Sequence, residues 1–96
     1  MKKIEIKLTR IGDISSNKTS RYSVELSREC TLGEFIDCIL ELKREWGCIK
    51  TNKGDYIRYC RGEIIGKSLK KESLSRKILK IQGRGGWSRI DYNITI

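Results

Sequence analysis

A chain of 96 residues makes one domain, residues 1–96, with room for a modest core and none for a second. Its 38% of hydrophobic residues are few but regularly spaced, which excludes disorder, and no apolar run approaches the roughly 20 residues of a membrane span. With 21 Lys and Arg against 12 Asp and Glu the formal net charge is +9, a field that draws nucleic acid, anionic membranes or acidic proteins and also serves plain solubility.

From Lys2 to Ile11, Ile4, Ile6 and Leu8 alternate with Lys3, Glu5, Lys7 and Thr9, the pattern of a half-buried strand. A polar, turn-rich stretch from Gly12 to Ser20 follows. Then Tyr22, Val24 and Leu26 alternate with Arg21, Ser23, Glu25 and Ser27, so the chain opens with a long-looped hairpin. Thr31-Leu32-Gly33-Glu34 matches the capping box, in which hydroxyl and carboxylate satisfy the free amides of a helix start. The predicted helix covers about 32–46, with Leu32, Phe35, Ile36, Ile39, Leu40 and Leu42 inward and Trp46 structural at its end, just before Gly47. Glu34, Asp37, Glu41, Lys43, Arg44 and Glu45 read as its solvated outer face.

Two short strands are expected around a turn at Asn52-Lys53-Gly54-Asp55, one from Cys48 to Thr51 and one from Tyr56 to Cys60. Tyr56 and Tyr59 fall on opposite faces of the second, so at most one is core. Glu63 to Gly66 suggests a further extended piece, and Leu69 and Leu74 pin a helical turn within Lys67–Arg76. Lys77 to Gln82 reads as a strand, Gly83-Arg84-Gly85-Gly86 as an antiparallel connection, and the last stretch as a strand with Ile90, Tyr92, Ile94 and Ile96 inward and Arg89, Asp91, Asn93 and Thr95 outward. Such a strand would pair with its own copy if it lay at the sheet edge. The oligomeric state does not follow from the sequence.

This order of elements, with Thr31-Leu32-Gly33-Glu34-Phe35 opening the helix, resembles the β-grasp or ubiquitin-like architecture. The resemblance implies an α+β fold, a mixed sheet of about 4–6 strands packed on one main helix, and service as an interaction module. Modifier members end in a Gly-Gly tail, whereas this chain ends Asn93-Ile94-Thr95-Ile96 with Gly85-Gly86 internal, which argues against conjugation through the C-terminus.

The chain has no histidine, and Cys30, Cys38, Cys48 and Cys60 include no Cys-x-x-Cys pair, so no metal site is expected. Met1-Lys2-Lys3 leads into a polar alternating strand and not an exporting signal. The cysteines therefore read as reduced small hydrophobes of a cytoplasmic protein. The commonest general base is missing, the carboxylates are scattered, and no catalytic residue or cofactor is expected. Gly83-Arg84-Gly85-Gly86 precedes a strand and lacks the Gly-Lys-Ser/Thr ending of a phosphate loop. It resembles a single copy of an RNA-contacting Arg-Gly-Gly segment.

The expected function is a non-enzymatic binding protein. Its candidate surface comprises Lys67, Lys70, Lys71, Arg76, Lys77, Lys80, Arg84, Trp87 and Arg89, read as one basic patch with Trp87 either an exposed anchor or a lid over the sheet. A protein partner is placed first and nucleic acid second. Third comes an accessory protein of a phage or mobile element that blocks host machinery, and last a cysteine-dependent enzyme. No membrane partner is expected.

Overall fold

The computed structural model describes residues 3–14, 19–43, 45–86 and 88–96. Among these residues seven strands, one helix and one 3-10 turn follow in the order β1 (Ile6–Ile14), β2 (Thr19–Leu26), α1 (Leu32–Leu42), β3 (Trp46–Thr51), β4 (Tyr56–Cys60), β5 (Glu63–Ser68), the 3-10 turn Lys71–Ser75, β6 (Lys80–Gly86) and β7 (Arg89–Thr95). All seven strands join one sheet in the order β1-β2-β6-β7-β3-β4-β5, and every neighbouring pair is antiparallel except β3 with β7. The α+β class with one main helix on a mixed sheet is as expected. The strand count exceeds the expected 4–6, because every extended segment finds a neighbour in the ladder. The strand order does not by itself establish the β-grasp arrangement.

The added strand shows why. Arg61 (φ 43°) and Gly62 (φ 90°) both take positive φ in a two-residue connection, the turn whose twist matches that of paired strands. Glu63–Ser68 folds back on β4, placing Lys67 opposite Ile57 and Ser68 opposite Tyr56. The helix starts as expected: Thr31 Oγ1 accepts from the Glu34 amide (3.2 Å) and Glu34 Oε1 from the Thr31 amide (3.0 Å). It ends earlier than expected, at Leu42, because Lys43 turns left-handed at φ 51°. Trp46, expected at the helix end, instead opens β3 and is 39% exposed.

The glycine cluster also differs from expectation. Gly83 to Gly86 lie within β6, with Gly83 opposite Tyr22 on one side and Tyr92 on the other. Gly83 and Gly85 are buried on the helix side; a Cβ on Gly83 would stand 3.1 Å from Val24 Cγ2, and one on Gly85 would stand 2.3 Å from the Arg89 carbonyl oxygen. Side chains there would press on Val24 of β2 and on the β7 backbone, so the glycines give clearance within the strand instead of forming its turn. β7 is no edge strand, since β6 and β3 flank it.

Alternation along β7 divides the sheet into two faces. Ile90, Tyr92, Ile94 and Ile96 are buried and join Ile49, Ile57 and Tyr59 under α1, whose Leu32, Phe35, Ile36 and Ile39 complete the core. Phe35 and Tyr92 meet edge to face, centroids 5.2 Å apart. Tyr59 donates its hydroxyl to the Ile90 carbonyl (2.6 Å), while Tyr56 lies on the opposite face. The 3-10 turn docks beside the helix, with the Leu32 amide donating to the Arg76 carbonyl and Leu69 and Leu74 packed on the core. No helix among the described residues is long and apolar enough to cross a membrane.

Candidate functional site

The face turned away from α1 carries the outward residues of five adjacent strands. Cross-strand pairing fixes them in rows: Arg21 opposite Arg84 and Arg84 opposite Asp91, then Ser23 opposite Gln82 and Gln82 opposite Asn93, with Asn93 in register with Lys50. Lys80 faces Thr95, Lys50 faces Tyr56, and Cys48 faces Arg58. Among the described residues no helix lies over this face, and Arg21, Lys50, Arg58, Lys80, Gln82, Arg84, Arg89 and Asn93 are all exposed.

One corner of this face is internally committed. Asp91 Oδ1 accepts from the Cys48 amide (2.9 Å) and from Arg89 Nε (3.1 Å), tying β3 to β7 where their parallel pairing begins. The Arg89 guanidinium lies 4.8 Å from the Trp46 ring centroid, and its Nη2 reaches 3.9 Å from Cys48 Sγ. Its hydrogen bond to Asp91 raises the pKa of Arg89, which stays charged. Cys48 Sγ also lies 3.3 Å from the Tyr56 hydroxyl, and that bond, aided by burial, pushes the tyrosine pKa upward. Lys50 Nζ sits 5.8 Å from the centre of the same ring.

Elsewhere the face is uncommitted. Among the described residues, Arg21, Arg58, Lys80 and Arg84 have no ion-pair partner. Two shallow hollows lie between the rows. One, about 240 Å³, is lined by Lys50, Asn52, Lys80, Gln82, Asn93 and Thr95. The other, about 150 Å³, is lined by Ile11, Arg21, Gln82, Gly83, Arg84 and Asn93. Ile11 reaches it because a bulge between Arg10 and Gly12 leaves Ile11 unpaired and 62% exposed.

Of the sequence-derived surface, the structure brings together Lys80, Arg84 and Arg89 on this face. Lys67 lies on the helix side of β5, opposite the buried Ile57. Lys70 and Lys71 start the 3-10 turn, and Lys70 Nζ donates to the Lys53 carbonyl (2.7 Å). Arg76 caps that turn, and Lys77 pairs with Glu29 (2.8 Å) near the helix start. Trp87 lies outside the described residues. The sequence reading missed Ile11, Arg21, Trp46, Lys50, Tyr56, Gln82 and Asn93 as members of one surface. Their outward placement was readable strand by strand, but the strand order that gathers them was not.

The cysteines are all free thiols. Burial, reinforced by Glu34, pushes the Cys30 thiol up, which keeps it protonated and a poor nucleophile. Among the described residues no three His, Cys, Asp or Glu side chains gather as ligands for a metal ion. Compared with protein-family models, with curated proteins and with solved structures, the chain matches none of them.

Proposed function

We propose that this chain is a non-enzymatic binding protein whose open sheet face takes single-stranded nucleic acid. The observation that carries the reading is the band of cations without acidic partners, Arg21, Arg84, Lys80, Lys50 and Arg58, across one uncovered face that also presents Trp46 and Tyr56. An uncovered sheet face with cations for phosphates and rings for bases is suited to an unpaired strand. Groove insertion into a duplex fits less well, because the exposed side of α1 carries Asp37 and Glu41, which a phosphate backbone repels.

Fluorescence anisotropy with labelled single-stranded RNA and DNA tests this over a salt series. If five cations each meet a phosphate, affinity falls about a hundredfold between about 50 and about 200 mM salt. Lys50→Glu/Arg84→Glu weakens binding at least about tenfold. Lys67→Glu/Lys71→Glu, the same charge change on the helix side, leaves it nearly unaltered through screening. Equal losses from both pairs would mean net charge, and not this face, binds the ligand.

A second reading, protein recognition, draws on β5. It is one of the two outer strands of the sheet, with Ile64 38% and Ile65 54% exposed beside a register shift, and an outer strand offers its backbone to an added one. This is the interaction-module role that the β-grasp resemblance implies. A Ile65→Lys variant that retains every captured partner removes it.

A further inference from the structure

We infer that the open face reads the bases of its ligand as well as its phosphates, through the cross-strand amide pair Gln82 and Asn93 set between two cationic hollows. This rests on the nucleic-acid reading above and states what that site discriminates.

Gln82 and Asn93 stand directly opposite each other in the β6–β7 ladder, both exposed. They line both hollows and so form the wall between them. Among the described residues neither side chain has a hydrogen-bond partner, so each amide keeps its donors and its acceptor free. Each hollow has two cations on its rim: Lys50 and Lys80 on one, Arg21 and Arg84 on the other.

The arginine pair is the sharper observation. Arg21 and Arg84 are directly opposed across β2 and β6, and like charges so placed repel. The nearest acid in the ladder, Asp91 opposite Arg84, is already engaged by Arg89 and the Cys48 amide. A phosphate between the two guanidiniums relieves the repulsion and matches their planar forks. With phosphates held on the outer rims, the adjoining bases reach the shared wall. Cations on phosphates carry no sequence information, whereas a free amide presents the paired donor and acceptor that a base edge requires. The charges therefore set affinity and the amides set preference.

The test measures binding of homopolymeric A, C, G and pyrimidine U or T single strands about eight nucleotides long, as RNA and as DNA, at one salt concentration and over a series. The wild type is expected to separate the tightest from the weakest by about tenfold, equivalent to about 1.4 kcal/mol. Gln82→Ala/Asn93→Ala compresses that range to about twofold and leaves the salt slope unchanged. Arg21→Ala/Arg84→Ala keeps the ranking and lowers the slope by about 0.7, for the one phosphate that the two arginines share. Thermal melting of each variant checks that the sheet is intact.

A wild type that binds all four bases alike, with steep salt dependence, overturns base reading while leaving the nucleic-acid reading in place. A ranking that survives the amide changes and collapses in Trp46→Ala/Tyr56→Ala assigns selectivity to stacking and also overturns it. Binding of none of the strands removes both readings.

Discussion

The two faces of the sheet are made by the same strands, yet they treat polar groups in opposite ways. On the covered face Tyr59 gives its hydroxyl to the Ile90 carbonyl, and Asp55, nearly fully buried, accepts from the Thr51 hydroxyl (2.7 Å) and the Lys70 amide (2.9 Å). Among the described residues no buried side-chain nitrogen or oxygen lacks a partner. One residue along, on the open face, Asn93, Gln82 and Arg84 keep their hydrogen-bonding groups for solvent or a ligand. Burial forces the first face to complete its own bonds, because an unmet polar group there costs about 1–3 kcal/mol. Exposure lets the second face remain incomplete. Stability and the proposed binding are thus separated by a single Cα along each strand.

That separation is broken most directly at Phe35, which is 0% exposed against Tyr92. Phe35→Ala is expected to cost about 3–5 kcal/mol in denaturant unfolding, and any ligand affinity goes with the fold. Gly47→Ala attacks the junction of the faces: a Cβ there would lie 1.9 Å from the Ile90 carbonyl oxygen, so β3 must move off β7. The expected loss is about 1–3 kcal/mol, together with fluorescence changes at Trp46 as its neighbour shifts.

Asp55 gives the covered face a pH signature. Burial pushes its carboxyl up, but the Lys70 amide, the Thr51 hydroxyl and the Ser73 side chain together hold it below the usual aspartate range. The unfolded chain therefore takes up this proton first as pH falls. The stabilisation is whole above about pH 4 and fades below it as the folded carboxyl titrates. Asp55→Ala, costing about 1–3 kcal/mol at neutral pH, flattens that part of the acid unfolding curve. The smallest stability effect sharpens the comparison: Arg84→Ala stays within about 0.5 kcal/mol of wild type while its oligonucleotide affinity drops. A large stability loss there would mean the open face also holds the fold.

Local chemistry was readable in advance. Thr31 and Glu34 announce the helix start because both partners of the capping box lie three residues apart, and the opposite fates of Tyr56 and Tyr59 follow from period-two alternation. The helix end was not readable, since it depends on Lys43 entering a left-handed conformation that no glycine marks. Gly83 to Gly86 misled in the other direction: glycines that usually announce a turn serve here as clearance for Val24 of β2 and the Arg89 carbonyl of β7, a tertiary requirement. The candidate surface suffered most. Its residues were grouped by nearness in sequence, Lys67 to Arg89, whereas strand order joins Arg21 to Arg84 and Lys50 to Asn93 across long separations and sends Lys67 to the far side.

β7 lies between β1-β2-β6 on one side and β3-β4-β5 on the other, and no other strand links these two groups in the sheet. β7 is the last strand in the chain and the one that fuses the two groups. It joins them by a local hairpin to β6 and by a parallel pairing with β3 of long sequence separation, the kind of contact that slows folding. The same strand carries Asn93 and Asp91, so the open face cannot exist before the core does.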